Sequence, residues 1–88
     1  ARGRAAVAGR EVTLTGAEAR VLEELARSAG QVVSRQLLCE RALGRPLEAF
    51  DRSIDTHVAN LRRKLGEDAP EIRGVRGAGY AMDPGAPA

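Results

Sequence analysis

The stretch Asp51-Arg52-Ser53-Ile54-Asp55-Thr56-His57-Val58-Ala59-Asn60-Leu61-Arg62-Arg63-Lys64-Leu65 decides the fold. With Ile54 as the zero of a helical wheel and a step of about 100° per residue, Val58, Leu61 and Leu65 fall within about 40° of it, which predicts a helix with a narrow buried seam. Opposite that seam stand Arg52, Thr56, Ala59, Asn60 and Arg63, flanked by Asp55 and Arg62 on one side and His57 and Lys64 on the other. The ends agree with this assignment. Asp51 suits the N-cap and the positive pole of the helix, Arg62, Arg63 and Lys64 suit the negative pole, and Gly66 can terminate it. The expected helix runs from Arg52 to Leu65.

Toward the N-terminus, Gly44 and Pro46 forbid regular helix, so Leu43 to Phe50 is expected to be a loop. Ser34 is a good N-cap, and Leu37, Leu38 and Ala42 supply the stripe of a shorter helix ending near Gly44. Thr15 with Glu18 three residues later is a capping box, predicting a helix whose apolar face is Val21, Leu22, Leu25 and Ala29, stopped by Gly30. Glu11 to Leu14 alternates polar with apolar and predicts a short half-buried strand, paired with Ala5 to Ala8 across a Gly9-Arg10 turn. Residues 1 to 9 carry no periodicity and the tail Pro84 to Ala88 is Pro, Gly and Ala only, so both ends are expected to be loose and the ordered core to span about residues 5–83.

Toward the C-terminus, the acidic loop Glu67 to Pro70 leads into Ile72-Arg73-Gly74-Val75-Arg76. Gly77-Ala78-Gly79 then turns the chain and Tyr80-Ala81-Met82 returns it, predicting a terminal β-hairpin whose glycines supply the backbone freedom of the turn.

Composition bounds what such a chain can be. Its 88 residues, 43% hydrophobic and 30% charged, fit one small domain with modest stability. With one Tyr, one Phe and no Trp, the core must be aliphatic. The net charge of +2 is small but unevenly placed: Glu18, Glu23 and Glu24 crowd an early segment, whereas Arg62, Arg63, Lys64, Arg73 and Arg76 gather late. The single Cys39 has no cysteine or histidine at metal-ligand spacing and predicts a buried thiol in a reducing compartment, with no metal and no cofactor. One histidine and one cysteine without matching partners exclude a nucleophile–base or metal set, so no enzyme is expected. No apolar run is long enough to span a membrane and no signal peptide is evident, which predicts a cytoplasmic protein.

The outward face of the third helix suits a DNA major groove. Arginine can donate two bonds to guanine, asparagine can pair the edge of adenine, and threonine or alanine can touch a thymine methyl; a good bidentate pair contributes about 1–3 kcal/mol of discrimination. Arg76 beside the hairpin tip suits a minor groove, where the local negative potential favours arginine. The order helix, helix, loop, basic helix, glycine-tipped hairpin is that of an α+β winged helix-turn-helix: three helices, a short N-terminal β segment and a C-terminal β-hairpin wing.

The residues also resemble one family, the effector domains of OmpR/PhoB-class bacterial two-component response regulators. The resemblance covers residues 12–82 and rests on Leu14-Thr15-Gly16-Ala17-Glu18, Gly30-Gln31-Val32-Val33-Ser34-Arg35, the Asp51 to Leu65 stretch, and Val75-Arg76-Gly77-Ala78-Gly79-Tyr80. The loop Leu43 to Phe50 and Val58-Ala59-Asn60-Leu61 are most similar to the CpxR-like branch. The resemblance implies that helix 52–65 lies in the major groove, wing 74–80 lies at the minor groove, and the protein regulates transcription. It places Arg52, His57 and Arg62 on phosphate, Asn60 and Arg63 at or near base edges, and Arg76 in the minor groove. Tyr80 matches an aromatic that supports the wing or touches the DNA backbone. Thr56 and Lys64 complete the expected contact set. Gly44, Arg45, Leu47 and Glu48 lie in the loop that would face RNA polymerase.

Departures from the family pattern include Ala19, where an aromatic is usual, and Gly74, where a phosphate-binding hydroxyl is common. Ala59 and Asn60 replace a basic pair of some members, so operators do not transfer. The family also places a multi-stranded sheet before the first helix, and only residues 4–14 remain to build it, so the chain is expected to be a trimmed effector domain, with no room for a receiver domain and monomeric alone. In the whole protein a receiver would answer to a cognate sensor kinase and bring two effector domains onto tandem half-sites. Neutralising about five phosphates predicts a slope of log affinity on log salt of about −4 to −5. The rival expectation is a winged helix used for protein contacts, its basic helix docking on an acidic partner.

Overall fold

Thr15 caps the first helix as the capping box requires: its hydroxyl accepts from the Glu18 amide at 3.1 Å, and the Glu18 carboxylate accepts from the Thr15 amide at 3.0 Å. Elements assembled from such local signals make up most of the structure, a computed structural model that describes residues 2–7, 10–67 and 69–84, with side chains from residue 11 onward. In chain order these are β1 (Arg2–Val7), β2 (Arg10–Thr15), α1 (Gly16–Arg27), α2 (Arg35–Leu38) running on through a π-helical turn (Cys39–Leu43), α3 (Ser53–Leu65), β3 (Ile72–Val75) and β4 (Gly79–Met82).

The strand expected at Glu11 to Leu14 is β2, and its partner is longer than expected. β1 pairs antiparallel from Arg2, opposite Thr15, to Val7, opposite Arg10. Residues 2–4 are therefore strand rather than loose chain, and Arg10 belongs to β2 rather than to a turn. Ladder pairing is made by backbone amides, which leave no trace in a segment of Ala, Gly and Arg. Ala8, Gly9 and the tail beyond Pro84 lie outside the described residues.

α1 buries Val21 and Leu25, but it ends at Arg27, so Ala29 is exposed rather than part of the apolar face. Ser34 caps α2, accepting from the Leu37 amide at 3.0 Å. The helix widens at Cys39 and stops at left-handed Gly44, burying Leu38, Cys39 and Ala42. α3 starts one residue later than expected. Arg52 holds the cap position, and Asp51 captures the Ser53 amide at 2.9 Å from the residue before it.

β3 and β4 form the wing, with Gly74 opposite Tyr80 and Val75 opposite Gly79. Gly79 thus lies in the strand rather than in the turn, which is Arg76 to Ala78, closed by the Ala78 amide on the Val75 carbonyl at 2.9 Å. β4 also meets the segment before α2: Val33 and Tyr80 exchange backbone bonds of 2.7 and 2.9 Å, and the Gly30 amide donates to the Met82 carbonyl at 2.8 Å. The core gathers Leu14, Val21, Leu25, Leu38, Ile54, Val58 and Leu61, so the seam of α3 is buried and its opposite face is left to solvent.

Candidate nucleic-acid interface

Because Ile54, Val58, Leu61 and Leu65 are held in the core, α3 presents Arg52, Thr56, Ala59 and Arg63 fully outward and Asn60 half-buried beside them. Arg76 is exposed in the turn of the wing. Among the described residues Arg52, Arg63 and Arg76 make no hydrogen bond or close ion pair, although the charge of Arg52 also acts on the Asp55 carboxylate, so their guanidinium groups are open to an external anion. His57 is half-buried; its Nδ1 is buried without a hydrogen-bond partner among the described residues, which leaves the Nε2 edge for an outside acceptor.

Three residues of the expected contact set face inward commitments. Arg62 donates from Nε and Nη2 to the Ile72 carbonyl at 2.9 and 2.6 Å, tying α3 to β3. Lys64 donates to Glu18 Oε1 at 2.6 Å. Tyr80 is buried, and its hydroxyl donates to the Asp55 carboxylate. Burial and the neighbouring Asp55 carboxylate push the Tyr80 phenol above its ordinary value, which keeps it a donor.

Asp55 and Arg35 were missed as site residues, since nothing local marks them. The Asp55 carboxylate accepts from Arg35 Nε at 2.8 Å, and the Arg35 guanidinium stands 5.4 Å from the centre of the Tyr80 ring. Burial works to raise the Asp55 carboxyl, but the Tyr80 hydroxyl and Arg35 outweigh it and hold it below its ordinary value. Glu18, the capping-box partner of Thr15, is only 3% exposed. Burial raises its carboxyl, yet Lys64 and the Thr15 amide prevail and lower it.

The loop after Gly44 is pinned at its base. Arg45 donates from Nη1 to the Asp51 carboxylate at 2.5 Å and from Nη2 to Ser53 Oγ at 3.0 Å. Arg45 and Ser53 depress the Asp51 carboxyl well below the usual carboxylate range. Leu47 packs on the core and Glu48 is exposed. Phe50, whose φ of 61° is uncommon for a residue with a side chain, is 99% exposed.

Known proteins with similar sequence and shape place this arrangement. Residues 9–82 match the family described as "Transcriptional regulatory protein, C terminal". The chain is 48% identical over 77 residues to the transcriptional regulatory protein CpxR of Klebsiella pneumoniae subsp. pneumoniae, covering 84% of this chain and 33% of that protein. It thus spans about a third of the length of the curated relatives it matches. Among solved structures, the DNA-binding domain of CpxR from E. coli superposes with a TM-score of 0.84 at 43% identity, covering 94% of this chain and 84% of that one. The Klebsiella pneumoniae RstA DNA-binding domain in complex with RstA box superposes with a TM-score of 0.83 at 34% identity, covering 93% and 84%.

Proposed function

The chain belongs to the family of transcriptional regulatory protein C-terminal domains, the effector domains of OmpR/PhoB-type response regulators, and from that premise we propose that it binds double-stranded DNA sequence-specifically to regulate transcription. The observation that carries this reading is the set of three uncommitted, exposed arginines, Arg52 and Arg63 on α3 and Arg76 on the wing, with Asn60 and Thr56 between the first two. α3 lies in the major groove. Asn60, Arg63 and Thr56 meet base edges, Arg52 and the Nε2 edge of His57 meet phosphates, and Arg76 enters the minor groove.

The loop from Gly44 to Phe50 is the surface we assign to RNA polymerase, through Glu48 and the projecting Phe50, with Arg45 and Leu47 holding its shape. A receiver domain answering to a sensor kinase would bring two such domains onto tandem half-sites in the cytoplasm, whereas the isolated domain is monomeric. No helix among the described residues is long and apolar enough to cross a membrane.

Selection of bound duplexes from a random DNA pool at moderate salt tests the reading. Enrichment of a short half-site is expected; no enrichment would overturn it in favour of a protein-contact module. On the selected duplex, Arg63→Ala and Asn60→Ala should relax sequence preference, while Arg52→Ala should weaken all duplexes alike; equal losses on selected and random DNA for all three would dismiss these roles. With Arg62 and Lys64 engaged inside the domain, fewer phosphates are neutralised, and the slope of log affinity on log salt is expected to be shallower than about −4.

A further inference from the structure

An acidic side chain on a helix that faces a polyanion costs affinity unless its charge is consumed. Asp55 is such a residue: it lies on α3 one turn from Arg52 and two turns from Arg62, and its side chain is 30% exposed. Its carboxylate oxygen accepts from both Arg35 Nε and the Tyr80 hydroxyl, so α2, α3 and β4 meet at one atom. The Tyr80 ring has Arg35 at 5.4 Å and Arg62 at 5.8 Å from its centre, and Arg62 in turn holds the Ile72 carbonyl of β3. The wing is therefore braced to α3 at two points, and the Tyr80 backbone is fixed to Val33 as well.

We propose that Asp55 and Tyr80 are a positioning pair that sets the angle between α3 and the wing, so that Arg76 reaches the minor groove while α3 occupies the major groove. The inference rests on the DNA-binding reading above. It assigns Tyr80 a role through Arg76 rather than a contact of its own, and it gives the carboxylate on the contact helix a purpose. Arg35 neutralises that carboxylate and, standing beside the ring, stiffens the junction.

A double-mutant cycle on the selected duplex tests it. Tyr80→Phe keeps the ring and removes the tie. It is expected to weaken binding about tenfold in the parent chain and less than about twofold in the Arg76→Ala background, while combining additively with Arg63→Ala. Equal losses from Tyr80→Phe with and without Arg76, or no loss in the parent, would overturn the positioning role. Asp55→Ala, run through the same cycle, should show the same coupling to Arg76 and serves if Tyr80→Phe fails to fold, which a urea melt reveals. Absence of binding by the parent chain would sink the DNA reading itself, whereas binding with an additive cycle sinks only the pair.

Discussion

Gly79→Ala is expected to destabilise the domain severely, removing a large part of its stability. Gly79 has a φ of +144°, a region that residues with a side chain rarely adopt, and a Cβ there would lie 2.1 Å from the Val33 carbonyl oxygen and 2.8 Å from Ser34 Cα. Those neighbours are backbone and cannot rotate away. The Val33 oxygen is also the acceptor for the Tyr80 amide, so the clash attacks the bridge that seats β4. A strained backbone and an overpacked contact together cost more than about 3 kcal/mol, against a total stability of about 4–13 kcal/mol for a chain of this size. Urea or thermal melts followed by circular dichroism would measure the loss. Gly77→Ala is the control: its φ is +76°, but nothing lies within 4 Å of the added carbon, so only the conformational cost of about 1 kcal/mol is expected. A Gly79→Ala protein melting like the Gly77→Ala control would refute the close approach.

Lys64→Ala is expected to lower stability by about 2–3 kcal/mol at neutral pH, because it strips the cation from a buried carboxylate; the full range for breaking a buried pair is about 3–5 kcal/mol, reduced here by the partial exposure of the lysine. Lys64 is 29% exposed on its side chain, Glu18 only 3%. Glu18→Gln in the same chain should recover much of the loss, since a neutral amide needs no counterion. The sign with pH follows from the depressed Glu18 carboxyl. Its contribution is complete above the unfolded carboxylate value of about 4.3 and is lost as pH falls through the lower folded value. The gap between parent and Lys64→Ala should therefore close in acid. DNA affinity of the folded variant should change little, because the ammonium is already committed. A large affinity loss with unchanged melting would return Lys64 to the contact surface.

These two residues also mark the limit of what local sequence discloses. The seam of α3, the cap at Ser34, the Thr15–Glu18 box and the terminal hairpin were all legible, since each is written in residues within a turn or two of one another. That Glu18 lies beneath Lys64, that Arg62 turns back to Ile72, and that Asp55 joins Arg35 to Tyr80 were not. Each of these needs two or three elements already packed, and helical spacing says only which way a side chain leaves its own axis. Of β1 only the part from Ala5 was foreseen, for a different reason: a strand of Ala, Gly and Arg is held by its partner's amides and shows no alternation. The outward arginines were legible as a face; which of them stay unpartnered was visible only once the wing was in place.

The backbone bridge between Val33 and Tyr80 has a consequence for how the domain comes together in time. It joins the segment before α2 to the last strand, so it can close only after the intervening helices have packed and the long loop between them has been drawn in. Contacts that form late carry small φ-values, and disturbing them speeds unfolding while leaving folding nearly unchanged. Changes at β4 are thus expected to act on the unfolding rate and changes in α1, α3 and the aliphatic core between them on the folding rate, which stopped-flow measurement of both rates would show.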